Sequence, residues 1–377
     1  MSSLYIHVPF CRTKCPYCDF FSVTGQSSEL TSYPERLLQQ LSLAPNRERL
    51  QTPLTTVFFG GGTPSLLSPT AVATILNALE TWPGIVSQAE ISLEANPGTV
   101  NLENLLGYRA AGINRLSLGI QSLHAGFLER LGRSHSPEEA TAAFRQARQA
   151  GFTNLSCDLM FGLPGQRRKD LMKDLEALLR LEPEHLSCYG LTVEEATPFY
   201  HLHRAGGLPL PEEETYRELY LSIQDRLLAA GYTHYEISNY ARPGHACRHN
   251  LTYWRRQAYL GIGAGAHSFF PVGWGERWSV PPDLAAYAMQ LERGEDPALM
   301  LESFDRRGAM AETLYLGLRT AEGVAEEAFI RHFGEGVMAA FPAAVARCGK
   351  HLALQDGYWR MDLAGWLIYD HLIEAFL

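Results

Sequence analysis

The sequence predicts an α/β fold: an open, partial (β/α)6 barrel followed by a small, helix-rich, winged-helix-like C-terminal domain. Three observations carry that prediction. Through the first 240 residues, short runs of β-formers alternate with longer helix-like runs, the pattern of parallel strands joined by right-handed crossovers. Six such strand–helix units occur, fewer than a closed barrel needs. From residue 302 the pattern turns helical, with Gly-rich breaks at 334–336 and 349 and a short strand pair near 351–361.

The strands are read from "LYIHVP" (4–9), "TTVFFG" (55–60), "EISLEA" (90–95), "RLSLGI" (115–120), "LSCDLMFG" (155–162) and "HLSCYGLT" (185–192). Each is apolar, and most are bounded by Gly, Pro or Asn. Helices are predicted over 69–82, 101–111, 137–150, 168–181 and 212–230. Ser68-Pro69 and Ser136-Pro137 each set a capping hydroxyl before a proline at the first helical position. Residues 236–282 are aromatic, glycine-rich and poor in helix signals. The chain thus divides into 1–235, the partial barrel; 236–300, an aromatic, Gly-rich segment; and 301–377, the helical domain.

Composition bounds the setting. Of 377 residues, 46% are hydrophobic and 19% charged, a globular balance with enough chain for a large core. A net charge of −9 argues against nucleic-acid binding, which shows as a basic excess. No apolar run reaches bilayer-spanning length, and the N-terminus lacks the basic and apolar regions of a signal peptide, so a cytoplasmic protein is expected. Cys157, Cys188, Cys247 and Cys348 are scattered singly, as reduced thiols are. Cys11, Cys15 and Cys18, in contrast, fall within eight residues, which reads as a metal site.

In a parallel barrel the working rim lies at the C-terminal ends of the strands. The first strand runs into the cysteine loop, the second into "GGGTPS" (60–65), and the third ends at Glu94. The fourth ends at Gln121, the fifth carries Asp158 and the sixth reaches Thr192. Singly, each has a plain structural explanation: a tight turn, a cap, a salt-bridge partner. Their joint placement on one rim does not.

A closed zinc site takes four ligands, whereas three thiolates suit an iron–sulfur cluster with one iron left open. The open iron calls for a ligand with adjacent nitrogen and oxygen donors, which the amino and carboxylate groups of S-adenosylmethionine supply. Glu94 is placed to hold its amino end. Gly61 and Gly62 let backbone approach without a Cβ in the way, and Asp158 or Gln121 suits ribose hydroxyls.

"CRTKCPYC" has the Cys-x3-Cys-x2-Cys spacing of radical SAM proteins. With "YIHVPFC", "GGGTPS", "SLEANP", "LSLGIQS" and "DLMFGLPG", the chain resembles, nearly end to end, the branch of that family related to oxygen-independent coproporphyrinogen III dehydrogenase. The resemblance implies a radical SAM barrel with a [4Fe–4S] cluster on Cys11, Cys15 and Cys18. It also implies S-adenosylmethionine contacts from Tyr5, Tyr17, Gly61, Gly62, Thr63, Glu94, Gln121, Arg133 and Asp158.

Within that branch two functions compete. One is the dehydrogenase, which oxidatively decarboxylates two propionates; the other is a haem chaperone, which binds haem and passes it to acceptor proteins. Dehydrogenases carry a further cysteine two residues after the third, where this chain has Phe20, and a long N-terminal arm, where it has ten residues before Cys11. "HNLTYW" (249–254) resembles the HNxxYW motif of the haem chaperones. The resemblance therefore favours a chaperone, with haem as cargo and His249 as its axial ligand. Alone, a histidine among aromatic residues is more often a hydrogen-bonded structural group, and the chain has 13 histidines. His267 and Cys247 are lesser candidates, and Trp274 and Trp278 read as packing residues. Radical cleavage chemistry on another substrate, a homodimer and the identity of the acceptor all stay open.

Overall fold

The computed structural model describes residues 2–25 and 27–377. Six strands, β1 (Ser3–Val8), β2 (Leu54–Gly61), β3 (Ile85–Ala95), β4 (Arg115–Gln121), β5 (Leu155–Phe161) and β6 (His185–Gly190), pair in parallel, each with the next in sequence. This is the open, parallel α/β arrangement that the predicted partial (β/α)6 barrel calls for, with no closed barrel among the described residues. A hairpin of β7 (Thr233–Glu236) and β8 (Asn239–Ala241) pairs antiparallel onto β6, and β9 (Leu260–Ile262) adds a parallel strand outside β1. The edges β7 and β9 are not neighbours in the nine-stranded sheet, so it stays open.

The alternation along each strand separates two surfaces. On β4, Leu116, Leu118 and Ile120 are fully buried on the helix side. Ser117, Gly119 and Gln121 face the opposite way, into the cavity described below. The crossovers begin where the sequence signals them. Ser68 accepts a hydrogen bond from Ala71 N (3.1 Å) at the start of Pro69–Thr81, and Ser136 forms a capping box with Glu139 at the start of Pro137–Gln149.

One crossover helix, Ser27–Ser42, is absent from the sequence reading. Its first turns are polar, and Pro34 interrupts it, so neither periodicity nor caps announce it. Tertiary contacts hold it instead. The buried Tyr33 hydroxyl donates to His7 O (3.1 Å) and accepts from Ala264 N (3.0 Å), and Gln40 Oε1 accepts from Gly263 N (2.8 Å). These bonds clamp the end of β1 to the loop after β9.

Beyond the main sheet, β10 (His267–Phe270), β11 (Glu276–Ser279) and β12 (Leu299–Ser303) form a small antiparallel sheet. The C-terminal helices gather around a third sheet of β13 (Val324–Ala325), β14 (Leu352–Gln355) and β15 (Tyr358–Met361), in the order β13-β15-β14. The predicted strand pair is thus present and gains a third strand. Among the described residues three apolar clusters result: one beneath the main sheet from Leu4 to Leu291, one from Ala309 to Phe376, and a small one of Phe127, Leu131, Met160, Leu163, Leu191 and Phe199.

Tyr33→Phe keeps the ring but strands two buried backbone groups. It is expected to cost about 1–3 kcal/mol, read as a lower urea midpoint. An unchanged midpoint would show that the clamp contributes nothing.

Candidate functional site

The cysteine loop leaves β1 and returns at once. Cys11 N donates to Val23 O (2.9 Å) and Val23 N to Pro9 O (2.8 Å), closing the base of the loop, and a turn sets Cys18 N on Cys15 O (3.1 Å). All three thiols are free and half-buried. Thr63 Oγ1 donates to Cys11 Sγ at 3.4 Å, and Arg133 Nη1 lies 3.8 Å from Cys15 Sγ. Burial raises the pKa of the Cys18 thiol; the Phe20 amide opposes this, while Cys15 and Cys11 add to it. A cation bound beside Cys18 would favour its thiolate.

The glycines of β2 make room for this loop. Gly62 N donates to Val8 O (3.0 Å), and a Cβ at Gly62 would stand 2.7 Å from Phe10 O and 3.1 Å from Cys11 Sγ. Gly61 has φ of +112° and a Cβ there would strike the His7 ring at 2.6 Å, so both positions require glycine.

Facing the loop are the acids. Glu94 accepts from Gly61 N (3.2 Å), and burial, with Asp158 next, pushes its pKa up to about 8. Asp158 accepts from Ser117 Oγ (3.1 Å), and burial raises its pKa as well, opposed by the hydroxyls of Ser187 and Ser117. Gln121 ends β4 at φ of +65°, a strained backbone for a residue with a side chain, where the β4–β5 register slips. Arg133 reaches Gly119 O (2.6 Å), while its Nε is buried without an acceptor. Two buried acids whose pKa values are raised, a glutamine on strained backbone and an unfinished guanidinium describe a surface made for a polar ligand.

These groups line one cavity of about 360 Å³. Tyr17, Cys18, Gly61, Gly62, Thr63, Glu94, Gln121, Arg133 and Asp158 are all in its wall. Cys11 and Cys15 sit beside it through Gly62 and Arg133. Tyr5 is not in the wall; its hydroxyl pairs with His7 Nδ1 (3.0 Å). The sequence reading missed Met160 and Tyr189, although each lies two residues beyond an inward polar residue, Asp158 and Ser187, on the same strand face. Phe20, 67% exposed, completes the mouth.

"HNLTYW" lies elsewhere. It forms the helix Arg248–Trp254 beside the N-terminal ends of β2 and β3, away from the rim. Glu90, on β3, caps it by accepting from Arg248 N and His249 N, both at 3.0 Å, and Cys247 Sγ lies 3.6 Å from the same carboxylate. His249 is fully buried and uses both ring nitrogens, with Thr56 Oγ1 at Nδ1 (2.8 Å) and Tyr253 OH at Nε2 (2.7 Å). Burial, then Arg115, pushes its pKa down to about 3. As folded, His249 offers no nitrogen to an iron. The groups around it, Thr56 and Glu90, lie far away in sequence, so no local pattern reveals them. His249 is instead a strut: its ring stacks on Phe58 (5.1 Å) and Tyr5 (6.3 Å), and Tyr5 meets His7, which binds Phe21 O (3.0 Å) behind the cysteine loop. Cys247 is also buried, whereas His267 is exposed at the start of β10.

Residues 5–178 match the radical SAM superfamily model, and 304–368 match the HemN C-terminal domain. Haem chaperone HemW of Bacillus subtilis is 37% identical over 380 residues, spanning 100% of this chain and 99% of the relative. The chain belongs to the HemW family of radical SAM proteins. Escherichia coli HemW is 43% identical over 281 residues, covering 72% of this chain and 71% of the relative. The structure of coproporphyrinogen III oxidase HemN from E. coli has the same fold, with a TM-score of 0.84 at 20% identity over 99% of this chain and 89% of that one. Membership of the radical SAM superfamily implies a [4Fe–4S] cluster and S-adenosylmethionine. The wall fits both: three thiols on one loop, glycines that a Cβ would close, and the Arg133 Nε buried without an acceptor.

The raised Glu94 pKa carries a sign. A carboxyl protonated in the fold up to about pH 8, but ionising near 4.5 when unfolded, costs stability as pH rises between those values. In ligand-free protein, Glu94→Gln is expected to raise the melting temperature at pH 8, with the gain fading towards pH 4.5. An equal effect at both ends would remove Glu94 from this role.

Proposed function

We propose that this protein is a cytoplasmic haem chaperone that binds haem and hands it to acceptor proteins. One observation supports the reading above the others: the full-length similarity to a relative named as a haem chaperone. In the proposed holoprotein, Cys11, Cys15 and Cys18 hold the [4Fe–4S] cluster, and Tyr17, Gly61, Gly62, Thr63, Glu94, Gln121, Arg133 and Asp158 hold S-adenosylmethionine. Tyr5 acts from beneath the rim through His7. When bound, the pair supplies one-electron reductive chemistry. The chain's own contributions are the anion-favouring Arg133 beside Cys15, the proton held on Glu94, and a cavity wall that limits water. Among the described residues, no helix is long and apolar enough to cross a membrane.

The competing reading, a coproporphyrinogen III dehydrogenase, draws on the shared HemN fold and the complete rim. Against it stands Phe20, exposed where the dehydrogenases have a fourth cysteine. An apolar ring there cannot ligate metal or donate a proton to a substrate.

Anaerobically reconstituted protein separates the two in paired assays on one sample. Titration with ferric haem is expected to give one bound haem per chain, with a Soret band distinct from free haem. Incubation with coproporphyrinogen III and S-adenosylmethionine is expected to give no protoporphyrinogen. Turnover tied to S-adenosylmethionine cleavage, without stoichiometric haem binding, would replace the chaperone by the dehydrogenase.

A further inference from the structure

We propose that Arg115 is a positioning residue for S-adenosylmethionine: its guanidinium, sealed beneath the cavity, supplies the positive charge that Asp158 and Glu94 need to meet the ligand as carboxylates. The inference rests on the reading of this wall as the S-adenosylmethionine site and adds a residue outside that wall.

Alternation along β4 puts Arg115 on the inward face, one same-face step before Ser117, Gly119 and Gln121. It stands opposite Ser92 on β3, and the next same-face pair is Glu94 opposite Ser117. Ser117 Oγ donates to Asp158 Oδ1 (3.1 Å) on β5. Both wall acids thus meet at the level of Ser117, one on each neighbouring strand, with Arg115 just beneath. Below the arginine, Glu90 commits its carboxylate to the amides of Arg248 and His249, both at 3.0 Å.

Arg115 is 2% exposed, and its Nε is buried without an acceptor. Among the described residues it joins no ion pair. A charge taken out of water with a donor left unmatched is costly packing, when an aliphatic chain of similar length fills the same space. Its contribution is therefore electrostatic. Burial works against the guanidinium's charge, and the acidic groups of Cys247, Glu90, Tyr235 and Asp158 more than offset that. The effect is mutual. Burial raises the pKa of both wall acids; Arg115 opposes it at Glu94 after the Gly61 amide, and at Asp158 after the Ser187 and Ser117 hydroxyls, with Arg133 joining in. Tyr5, Tyr189, Tyr253, Cys157 and Cys188 also lie around these acids, but burial raises the pKa of each, so they stay neutral.

S-adenosylmethionine brings a sulfonium cation, an amino group and ribose hydroxyls. Carboxylates accept from such donors and attract the cation more strongly than carboxylic acids do. Arg133 is already bonded to Gly119 O (2.6 Å) and lies 3.8 Å from Cys15 Sγ, whereas Arg115 has no such partner. A direct ion pair would occupy the very oxygens the ligand needs. A cation set one step below them favours their ionised form and leaves them open.

The test is equilibrium dialysis of S-adenosylmethionine against full-length, anaerobically reconstituted protein, over a pH series spanning the Glu94 value of about 8. Two neutral variants, Arg115→Gln and Arg115→Met, are measured so that one still reads if the other misfolds. In either, the pH at which binding is half-maximal is expected to rise by about one unit, with affinity about tenfold weaker near neutral pH and converging on wild type at high pH. Arg115→Lys is expected to lie between wild type and the neutral variants. Far-ultraviolet circular dichroism and iron content of the cluster verify that each variant is folded. A wild-type profile in the neutral variants overturns the proposal, as does weakening by the same factor at every pH, which marks a packing role. So does a profile for Arg115→Lys no closer to wild type than that of Arg115→Gln. Failure of the wild-type protein to bind S-adenosylmethionine at any pH overturns the reading of the wall itself.

Discussion

The structure turns on a contact too close for any side chain. Where β2 ends, Gly62 passes under the cysteine loop so tightly that a single methyl would press on Phe10 O and Cys11 Sγ, while its amide is bonded to Val8 O. That approach lays the three thiols over the ends of the parallel strands instead of beside them. Once they are there, Glu94, Gln121 and Asp158 meet them on one wall, since parallel neighbours end in step and every second residue faces the same side. The cost of putting two acids there is visible in their raised pKa values, which burial causes and which a bound cation or ammonium would relieve.

The helix carrying HNLTYW and the cysteine loop are joined by rings. From the helix carrying HNLTYW, His249 stacks on Phe58 and Tyr5, Tyr5 bonds His7, and His7 bonds the backbone of Phe21 just past Cys18. The column is held by ring stacking from His249 to Tyr5 and by hydrogen bonds from Tyr5 to Phe21, so moving the motif helix relative to the cysteine loop would break it. The motif helix and the radical SAM rim thus share a strut.

How much of this the sequence disclosed depends on the range of the interaction. The six parallel strands were legible, since strands buried on both faces read as apolar runs, and so were the helix starts at Ser68 and Ser136, because caps are local. The cysteine loop, Glu94, Gln121 and Asp158 were legible from strand ends. Met160 and Tyr189 were within reach of the same rule carried two residues further. Arg133 arrives from a loop that no strand rule covers, and only the family resemblance pointed to it. The helix Ser27–Ser42 went unread because its stability comes from Tyr33 and Gln40 bonding to residues more than two hundred positions away. The surroundings of His249 were hidden for the same reason: Thr56 and Glu90 are contacts that fold topology creates and spacing does not encode.

The central claim is that three thiolates leave one iron open on a wall built to receive S-adenosylmethionine. Electron paramagnetic resonance of the chemically reduced cluster tests it directly, comparing spectra with and without saturating S-adenosylmethionine. The account predicts a changed signal on addition, as a ligand joins the open iron. An identical signal in both samples, with the nucleoside shown by equilibrium dialysis to be bound or absent, would contradict it.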